Sequence, residues 1–149
     1  AGPGAVGGAS GSITGVFSVL VEGDDHDEPV ADAMRAILDG HIVLDRKIAE
    51  RGRFPAIDIL RTVSRAMPGV AEPDEADLIA RARLFASTYE DMREMIRIGA
   101  YRAGANSDVD AAIDAHPRLE EFLSQSGDNR ISQSETFQLL ESMLREASS

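Results

Sequence analysis

Arg46, Lys47, Arg51, Arg53, Arg61 and Arg65 fall between positions 45 and 65, against three acids, Asp45, Glu50 and Asp58. In a chain of net charge -11 this island is the one obvious place for an anion. Guanidinium groups keep their charge and present donors in a planar fork, which suits phosphate. For Arg65, an ion pair with Asp58 or a helix C-terminus explains the same residue without a ligand. Phe54-Pro55 lies inside the island. A proline-locked aromatic is commonly a packed corner; beside cations it could instead stack on a nucleobase.

A second cluster, DDHDE at 24–28, puts four carboxylates and His26 at the end of an apolar run. It could hold calcium or magnesium, but it lacks the alternating oxygen ligands and central Gly of a calcium loop. The other reading is that Asp27 or Glu28 caps a helix opened by Pro29. No GxxxxGK[ST] phosphate loop occurs, and the glycines at 2–11 precede a strand instead of following one. His26, His41 and His116 lie in unrelated contexts, with no spacing that suggests a metal trio or a Ser/His/Asp arrangement.

The elements that must position these residues fall into two halves. The run 12–23, SITGVFSVLVEG, is too continuously apolar for a half-exposed strand and reads as the centre of a parallel sheet. A helix over 29–38 follows, with Val30, Met34, Ile37 and Leu38 on one face and Gly40 as its stop. Residues 41–44 read as a second buried strand. Asp45 then caps a helix through Glu50 that Gly52 ends. That alternation is the rhythm of an α/β layer, whose remaining strands must come from elsewhere. Ile57, Leu60 and Val63 form a short apolar stripe, with Arg61 and Arg65 on other faces. From about Asp74 to Ile98 the apolar positions 78, 82, 85, 89, 92 and 96 recur at helical spacing. A helix starts at 109–113 and restarts at Pro117, with Leu119, Phe122 and Leu123 buried. A last amphipathic helix carries Phe137, Leu140 and Leu144.

Residues 1–67 carry ten acids and seven bases, whereas 68–149 carry sixteen and eight. The acidic second half would attract a basic partner, or simply keep the protein soluble. A pI near 4.6 argues against general nucleic-acid binding. Absence of cysteine excludes disulfides and thiol chemistry and fits a cytosolic setting. No apolar run is long enough to span a bilayer as a helix. The opening AGPGAVGGASGS, with no initiating Met, leads us to expect the C-terminal part of a longer protein.

Several phrases in order are more specific than any of this. GSITGVFSVLVEGDDHDEPVAD, ILDGHIVLDRKIAERGRFPAID and LRTVSR closely resemble the ATPases of flagellar and type III protein export, relatives of the catalytic subunit of rotary ATP synthases. EGDDHDEP at 22–29 points to the export branch. IGAYRAGANSDVDAAI and EFLSQ are similar to the same family's helical C-terminal domain. The resemblance runs from about Ser10 to Leu144.

It implies α/β followed by all-α: residues 1–68 as the C-terminal portion of a RecA-like parallel-sheet nucleotide-binding domain, and 69–149 as a small helical bundle. Arg65 of TVSR is then the arginine finger that reaches the γ-phosphate held by a neighbouring subunit. Phe54 with Pro55, in GRFPAID, matches the aromatic that packs on the adenine ring. Asp108 and Asp110, in GANSDVD, match the acidic segment that faces a central stalk protein. ATP and Mg2+ are implied for the full-length oligomer, expected to be a hexameric ring at the cytoplasmic face of the export apparatus, with export chaperones as further partners and no nucleic acid. The chain by itself is expected to be inactive, its phosphate loop lying outside it. The alternative is a non-enzymatic acidic helical module that docks a basic partner.

Overall fold

Asp45 shows how directly side chains set local structure here. Its Oδ1 accepts the Lys47 N–H at 2.7 Å and opens helix α2, Arg46–Glu50. Gly52, at φ +89°, ends it by donating its N–H to Ala49 O. The computed structural model describes residues 3–6, 9–12, 14–20, 29–128 and 130–146. By compactness it divides into one unit up to His41 and a second from Ile42 onward.

The first unit holds an antiparallel hairpin of β1 (Pro3–Val6) and β2 (Ala9–Ser12), with Pro3 opposite Ser12 and Val6 opposite Ala9. Helix α1, Pro29–Ile37, and the two-residue strand β3, Gly40–His41, follow. The sequence leads one to expect a Gly-rich loop and then a buried strand over 12–23. Instead the glycine-rich stretch pairs with itself, and 14–20 is irregular and exposed, Leu20 at 97%. The physical reason is range. A hairpin needs only its own two strands, whereas a central parallel strand needs neighbours supplied from far along a chain, and 14–20 finds no ladder among the described residues. The acidic cluster at 24–28 lies outside the described residues.

In the second unit, the expected buried strand at 41–44 is replaced by a small antiparallel frame. Leu44 bridges Ile57, Asp45 N donates to Ala56 O at 2.9 Å, and Asp58 N donates to Val43 O at 2.9 Å. Ile42 and Leu44 are exposed. The apolar stripe 57, 60, 63 lies along a turn and the start of a short strand. Asp58 Oδ1 accepts the N–H groups of Leu60 and Arg61, which curls 58–62 into a turn. The turn leads into the two-residue strand β4, Val63–Ser64, and the short helix α3, Met67–Val70.

Three helices carry the core. Pro73 opens α4, Pro73–Arg97, and the Glu75 carboxylate accepts the Glu72 N–H ahead of it. Asn106 caps α5, Ser107–Leu123, its Oδ1 accepting the N–H groups of Asp108 and Val109. Pro117 does not restart the helix as the sequence suggests but lies within it. A proline there costs about 3 kcal/mol, and burial of Ala112, Ala115 and Leu119 on either side of it offsets that. Ser132 and Glu135 cap α6, Gln133–Glu146, reciprocally: Ser132 N and Oγ donate to Glu135 Oε2, and Glu135 N donates to Ser132 Oγ. These bonds hold the Glu135 carboxyl below its ordinary range. Ala82, Leu119, Leu140, Met143 and Leu144 form the buried cluster, and Ile59, Phe85 and Phe137 pack on it from outside.

His116 on α5 stacks flat on Tyr89 of α4, ring centroids 3.5 Å apart. Burial lowers its pKa, against the smaller upward pulls of Glu120 and Glu90 and alongside the downward pulls of Arg93 and Arg51. A folded-state pKa below the unfolded value means that the unfolded chain takes up the proton first as pH falls. Stability is therefore expected to decline from pH 7.5 to pH 5, beginning near the ordinary histidine value of about 6.5. Denaturant midpoints across that range, with His116→Gln as the comparison, check this. An equal decline in the variant would remove His116 as a source.

Candidate functional site

The loop 53–58 is fixed to the helical bundle before any ligand is considered. Arg53, 7% exposed, has its Nε 3.0 Å from Glu120 Oε2 on α5, a contact between charges in which the N–H does not point at the oxygen. Phe54 O accepts the N–H of Gln125, just past the end of α5, at 2.8 Å. The Phe54-Pro55 peptide is cis. With its backbone held, Phe54 leaves its side chain at the surface, 57% exposed. It is therefore an anchored aromatic face, the arrangement that stacking on a planar ring requires.

The segment 59–62 is held differently. Arg83, on α4, donates Nη1 to Ile59 O at 2.5 Å and to Thr62 O at 3.3 Å, and Nη2 to Leu60 O at 3.1 Å. Thr62 Oγ1 in turn accepts the Val43 N–H at 3.1 Å. Arg65 follows, one residue beyond β4, and is exposed. The cationic island is thus narrower than its sequence suggests. Arg53 is buried against Glu120, and Arg46 pairs with Glu50 at 2.9 Å, while Lys47, Arg51, Arg61 and Arg65 have exposed side chains.

Asp108 and Asp110 part company. Asp108 is exposed in the first turn of α5. Asp110 is half-buried and closes the preceding loop: its Oδ2 accepts the Gly104 N–H at 2.8 Å, and its Oδ1 lies 3.0 Å from the Tyr101 hydroxyl, which shares its proton with Asn106 O. Gly104, at φ +83°, is the position where that loop needs glycine.

Sequence reasoning missed Arg83, Glu120 and Gln125. Only Arg83 leaves a signal: it stands four residues after Ile79 and three before Ala86, beside the apolar stripe where a charge is out of place unless something satisfies it.

Two family models match in succession: the ATP synthase alpha/beta family, nucleotide-binding domain, over residues 2–64, and the T3SS EscN ATPase C-terminal domain over 71–142. The flagellum-specific ATP synthase of Caulobacter vibrioides is 53% identical over 148 residues, 97% of this chain and 33% of that protein. The chain belongs to the flagellar and type III secretion ATPases. Among solved structures, the assembled ATPase EscN of the enteropathogenic E. coli type III secretion system matches at TM-score 0.86 and 37% identity, covering 91% of this chain and 33% of that one. EscN in complex with its central stalk EscO matches at TM-score 0.73 and 36% identity, covering 78% and 29%. The chain therefore spans about a third of the flagellar and secretion ATPases it resembles. Its fold class is the expected one, part of a nucleotide-binding domain followed by a helical C-terminal domain. Among the described residues of this family member, no helix is long and apolar enough to cross a membrane.

Proposed function

We propose that this chain is the part of a protein-export ATPase that completes a neighbouring subunit's nucleotide site. The observation that carries the reading is an exposed Arg65 just beyond a segment braced by Arg83, in a chain 53% identical to a flagellum-specific ATP synthase. Residues 1–68 contribute to the nucleotide-binding domain and 69–149 form the helical domain. The residues present fit nucleotide: an anchored, exposed Phe54 for adenine, followed by Pro55, and an exposed Arg65 for phosphate.

Phosphoryl transfer depends on positioning and on neutralising charge that develops on the transferred group. ATP with Mg2+ supplies that group when bound to the full-length oligomer. Arg65 holds a permanent positive charge, and a braced backbone reduces the reorganisation needed to place it. Phe54 supplies an apolar face that orients a base and excludes water from it. The family's assembled form suggests a homo-oligomeric ring, a hexamer on this reading, working in the cytoplasm at the export apparatus. The loop ending in Asp108 and Asp110 faces a central stalk, Asp108 as the exposed charge and Asp110 as the residue that shapes the loop; export chaperones meet the helical domain.

This reading makes the purified chain inactive. It is expected neither to hydrolyse ATP nor to bind it tightly, because no phosphate loop lies within it. Phosphate release above background, abolished by a non-hydrolysable nucleotide analogue, would refute that expectation.

A further inference from the structure

We infer that Arg83 is a positioning residue for Arg65: from the helical domain it fixes the backbone from which the finger projects. The inference rests on the reading of Arg65 given above. One guanidinium meets three carbonyl oxygens, those of Ile59, Leu60 and Thr62, within seven residues before Arg65. Such charge-assisted bonds are roughly twice as strong as neutral ones, and a planar fork spreads them across a turn that a single ammonium could not span.

Apolar packing alone leaves this turn incompletely supported. Ile59 rests on the core cluster, yet an open hollow of about 200 Å3 remains beside it, lined by Ile59, Thr62, Ala82, Phe122 and Leu140 and by Arg83 itself. The turn has its own Asp58 cap, which fixes its curl but not its place on α4. Arg83 joins it to α4 by hydrogen bonds. A catalytic group displaced by about 1 Å can lose on the order of a hundredfold in rate, so anchoring three residues upstream has a kinetic consequence although Arg83 touches no substrate.

The test uses the full-length, oligomeric enzyme and compares Arg83→Met, Arg83→Lys, Arg65→Ala and the Arg83→Met/Arg65→Ala double variant. Arg83→Met is expected to lower kcat by about 10- to 100-fold with KM for ATP within about twofold. Arg83→Lys, which retains charged donors, is expected to recover part of that loss. In the Arg65→Ala background, Arg83→Met is expected to add little, because the group it positions is gone. Amide hydrogen exchange is expected to quicken at 60–65 while α4, α5 and α6 stay protected. A full multiplicative loss in the double variant, wild-type kcat in Arg83→Met, or loss of protection throughout the helices would each overturn the positioning role. An Arg65→Ala enzyme with unchanged turnover would instead sink the finger reading itself, so the two failures are distinguishable.

Discussion

Arg65→Ala in the full-length oligomer is expected to cut ATP turnover by roughly a thousandfold to a hundred-thousandfold, the range for loss of an arginine finger. That corresponds to about 4 to 7 kcal/mol of barrier. Nucleotide affinity is expected to change little, because the interaction develops mainly in the transition state. The structural basis is the side chain's exposure just past β4. Asp58, the partner that the sequence offers as a rival, has Oδ1 engaged in capping its own turn through the N–H groups of Leu60 and Arg61. Phosphate-release kinetics together with titration of a fluorescent nucleotide separate the two effects. Unchanged turnover would exclude the finger role. A large loss of affinity with kcat preserved would make Arg65 a ground-state anchor instead.

Local signals in the sequence translated faithfully where a residue acts on its own neighbours. Asp45 and Gly52 bound α2 as their types dictate, and the stripe through Ala82 and Phe85 forms a long helix. Leu140 and Leu144 were legible as core from spacing alone. The reading fails where structure is set at a distance. The apolar run at 14–20 calls for sheet neighbours that no local rule supplies, so the same residues that read as buried stand exposed. Pro117 reads as a break, but tertiary packing on both sides carries the helix through it. At the candidate site, Arg65 and Phe54 were legible by type and phrase, whereas their supports were not. Arg83 bonds backbone oxygens, which carry no residue identity, and Glu120 meets Arg53 across a separation that periodicity cannot reveal. Charge counting likewise placed Arg53 in an anion-binding island, when burial beside Glu120 gives it a bracing role.

Leu144→Ala is expected to destabilise the helical bundle by about 2 to 5 kcal/mol, the range for emptying a buried leucine site. Leu144 is 0% exposed and belongs to the cluster that joins α4, α5 and α6. The loss comprises the transfer energy of the removed methyl groups and a cavity that three packed helices collapse only in part. Leu139, on the same helix but 51% exposed, is the matched control, and Leu139→Ala is expected to stay within about 1 kcal/mol. Urea denaturation followed by far-UV circular dichroism compares the midpoints. Against a typical domain stability of about 5 to 15 kcal/mol, the first loss is large. Its consequence reaches the site, because Ile59 packs on the same cluster and carries one of the carbonyls that Arg83 holds. Faster exchange at 59–62 in Leu144→Ala, at denaturant levels where α4 stays protected, is the expected sign that the core supports the segment before Arg65 as well as the bundle. Equal midpoints for the two leucine variants would show that α6 is no part of the cooperative core, and the support argued for Arg65 would then have to come from α4 and α5 alone.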